Sequence, residues 1–121
     1  MARIVEVNPD AVVVRLTGWA ALGALKRELR VPLGAITAVS TTRYDATGLR
    51  LGGAAIPWTD IRAGRFRRDG RWTFLSFEDR DRVLTLELDR SVPGAEYDVV
   101  AVGVDDPAAL AAEIDACRAA S

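Results

Sequence analysis

The segment that most constrains the fold is a strand–turn–strand pattern at residues 61–77, IRAGRFRRDGRWTFLSF. Two alternating runs, residues 61–67 and 71–77, flank the pair Asp69-Gly70. Aspartate and glycine tolerate the positive φ angles that the central residues of a two-residue hairpin turn adopt. The pattern therefore predicts two antiparallel strands joined by a tight turn.

Arginine and aromatic side chains dominate this hairpin. The aromatic residues, which we expect to contribute to a hydrophobic core, are Phe66, Trp72, Phe74 and Phe77. Five arginines accompany a single acid, and they are Arg62, Arg65, Arg67, Arg68 and Arg71. Because side chains alternate between the two faces of a strand, Phe66 lies opposite Arg65 and Arg67. The hairpin is therefore expected to have an aromatic face toward the core and an arginine face toward solvent, with Arg68 and Arg71 beside the turn.

Two interpretations of the arginine face remain open. Guanidinium groups bind phosphate or carboxylate through paired hydrogen bonds, so the arginines could form a ligand or partner surface. Alternatively, they form a solvated strand face that pairs with acids such as Glu87 and protects the sheet from edge aggregation. The solvated face is the interpretation that the sequence favours. The residues of the candidate surface are Trp58, Arg65, Arg67, Arg68 and Arg71.

Hydrophobic patterning predicts further strands on both sides of the hairpin. These segments are residues 4–7, 12–16, 33–41, 49–56, 83–88 and 97–104. Val12, Val14 and Leu16 share one face by the two-residue period of a strand. A turn or bulge is expected near Gly34, because the apolar residues around it keep a three-residue spacing. The glycine pair at 52–53 and the following Pro57 make any strand at 49–56 short, irregular or at an edge.

Two helices are also predicted. The first is a short amphipathic helix at residues 18–29, where apolar residues recur at three- and four-residue spacing, namely Trp19, Leu22, Leu25 and Leu29. It ends before Pro32, which disfavours the helical conformation at the preceding residue. The second helix begins at Pro107 after an aspartate cap and runs to about Ala119. Its apolar stripe, which we expect to cover the open end or face of the sheet, consists of Leu110, Ile114 and Cys117.

Composition argues against several kinds of chemistry. The chain of 121 residues has no histidine and a single cysteine, Cys117, so the commonest general base and metal ligand are missing. The carboxylates are scattered or lie in turns and caps, and no spacing brings them together. The glycine pair at 52–53 lacks the lysine and the hydroxyl residue of a phosphate-binding loop. We therefore expect no catalytic residues, no metal site and no cofactor.

Net charge and hydropathy limit the expected partners and location. A formal net charge of -1 gives the chain no overall attraction to nucleic acid or to an anionic membrane. No segment approaches the roughly 18 consecutive apolar residues of a membrane helix, and the N-terminus lacks the apolar segment of a signal peptide. The length suits one domain, residues 1–121. We expect a single-domain, soluble, cytoplasmic protein that does not bind nucleic acid.

Several short motifs, in their order along the chain, resemble those of a family of small, stand-alone bacterial proteins with a pleckstrin-homology-like (PH-like) domain. The matching stretches are residues 25–33 leading to Ile36 and Val39, 48–57, 63–66, 83–88 and 97–107. The resemblance implies a mainly β fold, a bent antiparallel barrel of about seven strands capped by the C-terminal α-helix. The helix at 18–29 is an addition to that plan, and Pro57-Trp58 stands where the family would have a Pro-Gly turn.

The resemblance also implies a binding function, because PH-like folds recognise phosphoinositides, peptides and proteins. The expected function is a non-enzymatic binding module for a protein or peptide, which is either an acidic partner at the arginine hairpin or a strand added to an exposed sheet edge. The alternative is an anionic small molecule or lipid headgroup bound by the same arginines. Trp58 would be either an exposed aromatic anchor or a buried residue. Pairing of strand edges would also permit a homodimer.

Overall fold

The structure is a computed structural model, which describes residues 3–16, 28–45, 54–55 and 62–120. This part of the chain forms nine strands and one α-helix, so the protein is mainly β with a C-terminal helix, as predicted. The strands are β1 (Arg3–Val7), β2 (Ala11–Leu16), β3 (Glu28–Pro32), β4 (Ile36–Ser40), β5 (Ala54–Ala55), β6 (Arg62–Arg68), β7 (Arg71–Phe77), β8 (Val83–Leu88) and β9 (Val99–Gly103). The helix is α1 (Pro107–Ala120).

The arginine-rich hairpin forms as the sequence predicts. Strands β6 and β7 pair antiparallel, and their register ends with Arg68 opposite Arg71. The two residues between them, Asp69 and Gly70, have φ angles of 51° and 77°. Both angles are positive, as a tight turn that matches the twist of its strands requires. The hairpin is therefore a local structure that its own turn residues favour.

The described strands form two sheets, which are not closed into one barrel. The smaller sheet has the order β1-β2-β3, and the larger sheet has the order β4-β8-β9-β7-β6-β5, with the two-residue β5 at its edge. All neighbouring strands are antiparallel except β7 and β9, which pair parallel from Thr73 opposite Val99 to Ser76 opposite Val102. The expectation of an entirely antiparallel arrangement is therefore wrong at this pair.

The parallel pair arises because β9 lies between β7 and β8. Strand β8 runs opposite to β7, and β9 turns back against β8, so it must run in the same direction as β7. A strand in this position is covered on both faces, which suits a continuous apolar run better than an alternating one. Phe74, Leu75 and Phe77 of β7 and Val100 and Ala101 of β9 are accordingly all buried.

The helix predicted at residues 18–29 is wrong at its C-terminal end. Glu28 and Leu29 belong to β3, where they pair with Arg15 and Val14 of β2. Leu29 and Val31 are buried while Glu28 and Arg30 are exposed, so the two-residue period of a strand governs this segment rather than helical spacing. The rest of the predicted helix lies outside the described residues.

The other predicted elements agree with the structure where it describes them. The turn expected near Gly34 is a single turn of 3-10 helix, Leu33–Ala35, and the register of β4 on β8 shifts between Ile36 and Ala38. The strand predicted at 83–88 has the same bounds in β8, and the one at 97–104 is shortened to β9. Of the irregular strand at 49–56, only β5 is described.

Two apolar clusters lie on opposite faces of the larger sheet. The main core lies between the two sheets and includes Val12, Val14 and Leu16 from β2, as predicted, together with Phe74, Leu84, Leu86 and Val100. The second cluster consists of Tyr44, Phe66, Leu75, Phe77, Val83 and Ala101. The prediction of one aromatic face is therefore wrong, because β7 is a central strand and sends Phe74 to one face and Phe77 to the other.

Helix α1 closes the main core. The Asp106 carboxylate accepts a hydrogen bond from the Ala109 backbone N–H at 3.1 Å, and Pro107 is the first helical residue, which confirms the predicted aspartate cap. The predicted stripe also forms, because Ile114 is fully buried and Leu110 and Cys117 pack half-buried against the same core.

The hairpin turn leads to a first prediction. Replacing Gly70 with alanine should lower the free energy of unfolding by about 1–2 kcal/mol, because its φ of 77° is unfavourable for an L residue although the space around it is open. The matched control is Gly34→Ala, which also enters open space but at a residue without a positive φ. Urea denaturation of both variants measures the difference. Equal effects at the two positions would show that the turn geometry does not matter.

Candidate functional site

The four described arginines of the candidate surface lie on two different faces of the larger sheet. The guanidinium of Arg67 lies over the ring of Trp72, 5.6 Å from its centroid, and Trp72 packs against the main core. The guanidinium of Arg68 lies 5.3 Å from the ring centroid of Tyr44, which belongs to the second cluster. By alternation, Arg65 shares the face of Arg67. We call the other face, with Tyr44, Phe66 and Phe77, the Tyr44 face.

Of the predicted site residues that the structure describes, two share a concavity. Arg68 and Arg71 line an open groove of about 350 Å³ on the Tyr44 face, together with Arg43, Tyr44 and Glu87. We call it the Arg68–Arg71 groove. Arg65 and Arg67 are exposed on the opposite face, and Trp58 lies outside the described residues. The structure therefore brings Arg68 and Arg71 together and separates them from the other two arginines.

Ion pairs partly neutralise the Arg68–Arg71 groove. A guanidinium nitrogen of Arg71 lies 3.6 Å from a carboxylate oxygen of Glu87, which confirms the expected pairing of this hairpin with Glu87. The Nε atom of Arg43 lies 3.0 Å from a carboxylate oxygen of Asp81. All four side chains are about half exposed or more, so these pairs contribute little to stability. Their main effect is to reduce the positive charge that a ligand would meet.

Arg68 is the least solvated arginine of the groove. One of its Nη atoms donates hydrogen bonds to the Tyr44 hydroxyl, at 3.4 Å, and to the Asp45 carbonyl oxygen. Its buried Nε has no hydrogen-bond partner within the part of the chain that the structure describes. Burial raises the pKa of Tyr44, and the nearby Arg68 charge opposes that increase, so the phenol stays a neutral hydrogen-bonding group at physiological pH.

A second, larger groove, which no sequence pattern predicted, lies between β1 and the start of α1. Among the described strands β1 pairs only with β2, so in the sheet that these strands form its other side is a free edge. The groove has a volume of about 650 Å³, and its apolar lining includes Ile4, Val5, Val104 and Leu110. Ile4 is 52% exposed and is the one exposed large hydrophobic residue in the described ranges. We call this concavity the β1 groove.

Carboxylates outnumber arginines in the β1 groove. The acidic lining residues are Glu78, Asp79, Asp105, Asp106 and Glu113, and the basic ones are Arg3 and Arg82. Two of these acids act in turns and caps as the sequence predicts, because Asp79 accepts the Asp81 backbone N–H at 2.9 Å and Asp106 caps α1. The local pattern did not show that the loop after β7 and the loop after β9 meet on one groove.

The buried residue Arg3 fixes β1 against the larger sheet. Its guanidinium donates to the Ser76 hydroxyl at 3.0 Å, to the Gly103 carbonyl oxygen at 2.9 Å and to the Glu78 carboxylate. Gly103 permits this close approach, since a Cβ there would lie 3.1 Å from the Arg3 guanidinium and 3.0 Å from Phe77 Cβ. A single arginine in the sequence carries no local sign that it is buried. Only the assembled sheets show that Arg3 links them.

Within the described residues, no group of three or more potential ligands could hold a metal ion, and no helix is long and apolar enough to cross a membrane. No family model, no curated protein and no solved structure matches the chain. The two grooves are therefore the candidate sites.

The Arg3 contacts lead to a second prediction. Replacing Arg3 with methionine should lower the free energy of unfolding by about 1–3 kcal/mol, because it leaves the Gly103 carbonyl and Ser76 hydroxyl without their partner. The control is Arg30→Met, at an exposed position of β3. Urea denaturation compares the two variants. Similar small losses in both would mean that Arg3 does not link the sheets.

Proposed function

We propose that the protein is a non-enzymatic binding module that recognises an extended segment of another protein and adds it as a strand to β1. The observation that carries this proposal is the free edge of β1 beside the β1 groove. An edge strand presents unpaired backbone N–H and C=O groups, and a segment that pairs with them gains affinity from main-chain hydrogen bonds. The adjacent groove supplies the side-chain contacts that such binding needs for specificity.

The side chains of β1 divide between two environments that an added strand would meet. Val5 and Val7 pack half-buried against the main core, whereas Ile4 and Glu6 alternate onto the opposite face. Side chains of an added strand alternate in the same way, about 4.8 Å from β1. One set would enter the β1 groove beside Val5, and the other set would lie next to Ile4. The exposed surface of Ile4 would then be partly covered.

The PH-like plan inferred from the sequence motifs remains part of this proposal. A mainly β chain that ends in a helix supports it at that coarse level, and the resemblance itself implies peptide and protein recognition. Closure of a barrel is not required for strand addition, because addition needs only one open edge. A cytoplasmic location is proposed on the sequence grounds alone.

Strand addition gives a third prediction. A peptide selected from a random display library on the folded protein should slow amide hydrogen exchange in β1 by at least about tenfold at saturation, because its backbone would pair with that edge. Ile4→Ser should weaken the same peptide about fivefold through lost apolar contact. Ala112→Ser, at an exposed position of α1 outside the groove, is the control and should not change affinity.

The amide hydrogen-exchange rates of every edge strand show which edge the peptide binds. Protection of β3, β4 or β5 instead of β1 would contradict the proposal. A selection that yields no binding peptide would contradict it as well.

A second candidate function is binding of an anionic small molecule or lipid headgroup at the Arg68–Arg71 groove. It is favoured by the convergence of Arg68 and Arg71 with Arg43 on one concavity. It ranks second because Glu87 and Asp81 already pair with two of these arginines. An acidic protein partner that uses the whole arginine hairpin has less support, since Arg65 and Arg67 lie on the other face.

The anion site gives a fourth prediction. At low salt, Arg71→Glu should reduce binding to vesicles that contain phosphatidylserine about tenfold, because the substitution reverses one charge in the groove. Arg65→Glu makes the same charge change on the opposite face and should have little effect. Titration with inorganic phosphate, followed by the chemical shifts of Tyr44 and Arg68, shows whether a free anion binds without the rest of the lipid. Equal binding to anionic and neutral vesicles would exclude the headgroup, and equal effects of the two variants would exclude the groove.

A further inference from the structure

We infer that the segment added to β1 is basic and apolar, with lysine or arginine side chains that reach the carboxylates of the β1 groove. The inference rests on the proposed strand addition and names the chemistry of its partner. It is drawn from the distribution of charge around the free edge of β1, which the net charge of the chain conceals.

The β1 groove carries a local excess of negative charge. Five carboxylates line it against two arginines, although the whole chain has a formal net charge of only -1. Arg3 is buried and donates to Ser76, Gly103 and Glu78, so the charges of Arg3 and Glu78 offset each other and four carboxylates remain. Arg82 is then the one remaining cation among the described lining residues. A segment that enters the groove therefore meets a negative potential.

Two of these carboxylates are well placed to bind a cationic side chain. Asp105 and Glu113 are both exposed, and neither makes a side-chain hydrogen bond or ion pair within the described residues. Asp105 precedes α1, whose positive N-terminal dipole offsets part of its charge, whereas Glu113 lies beyond the first turn, where that effect has faded. The protein itself therefore offsets the charges of Asp105 and Glu113 only in part.

The apolar residues of the groove require that the partner segment also carries apolar side chains. Val5, Val104 and Leu110 are half-buried, because one side of each packs on the main core and the other side faces the groove. An apolar side chain of the added strand would cover that remaining surface. Since every second residue of a strand points to the same face, an apolar and a basic residue two positions apart would meet the valines and the carboxylates of the groove together.

The same charges argue against a second copy of this chain as the occupant. In a symmetric pair of β1 edges, each copy would bring its own acidic groove to the interface. Like charges facing each other are unfavourable and suppress such association. An acidic segment is disfavoured for the same reason. The geometry therefore points to a basic partner segment rather than to a homodimer through β1.

A peptide selection with charge-matched variants tests the inference. Random peptides displayed at low salt should yield sequences with Lys or Arg interspersed with Val, Ile or Leu, and exchange protection in β1 should identify those that bind there. For one such peptide, the double variant Asp105→Asn, Glu113→Gln should weaken affinity roughly three- to tenfold, mainly through a slower association rate. The control, Asp10→Asn with Asp115→Asn, removes the same charge outside the groove and should change affinity less than twofold.

The outcomes separate this inference from the proposed function. Neutral or acidic peptides that protect β1, or an affinity that the Asp105 and Glu113 substitutions leave unchanged, would overturn the basic partner and leave strand addition in place. Absence of any peptide that protects β1 would overturn both. Protection of β1 that rises with protein concentration, without peptide, would show a second copy in the groove and would also overturn the inference.

Discussion

The insertion of β9 between β7 and β8 is the constraint on which the rest of the structure depends. It makes β7 a central strand that is buried on both faces, and it brings the ends of β7 and β9 together at one end of the sheet. The chain then leaves Gly103 for α1 at that same end. Arg3 reaches both strands there, through Ser76 and the Gly103 carbonyl, and so holds β1 beside the helix.

The two candidate sites follow from this arrangement. The β1 groove exists because Arg3 holds an edge strand next to the first turns of α1. The Arg68–Arg71 groove exists because the side of β7 that carries Arg71 and Phe77 needs its own cover, which Tyr44 provides by contact with Phe77 at 5.4 Å between ring centroids. A single strand that is buried on both faces therefore creates two separate surfaces with different chemistry.

The near-zero net charge conceals a clear separation of charge. Carboxylates from the loops after β7 and β9 gather at the β1 groove, whereas Arg68 and Arg71 lie beside the turn of the hairpin. The hairpin arginines are distributed over two faces, and Arg71 and the neighbouring Arg43 are paired with acids, so the basic surface is weaker than its sequence suggests. Charge at a site depends on which loops the fold brings together, and a sum over the chain cannot show it.

The sequence by itself determined the local structure. Asp69-Gly70 encoded the hairpin turn through its positive φ angles, the alternation of Val12, Val14 and Leu16 encoded β2, and the aspartate before Pro107 encoded the start of α1. These signals act between neighbours, so a pattern can report them. Only the tertiary structure decided the parallel pairing of β7 with β9, the strand at Glu28 and Leu29, the division of the arginines and the role of Arg3. Each of these depends on contacts between residues that are distant in the chain, for which local periodicity carries no information.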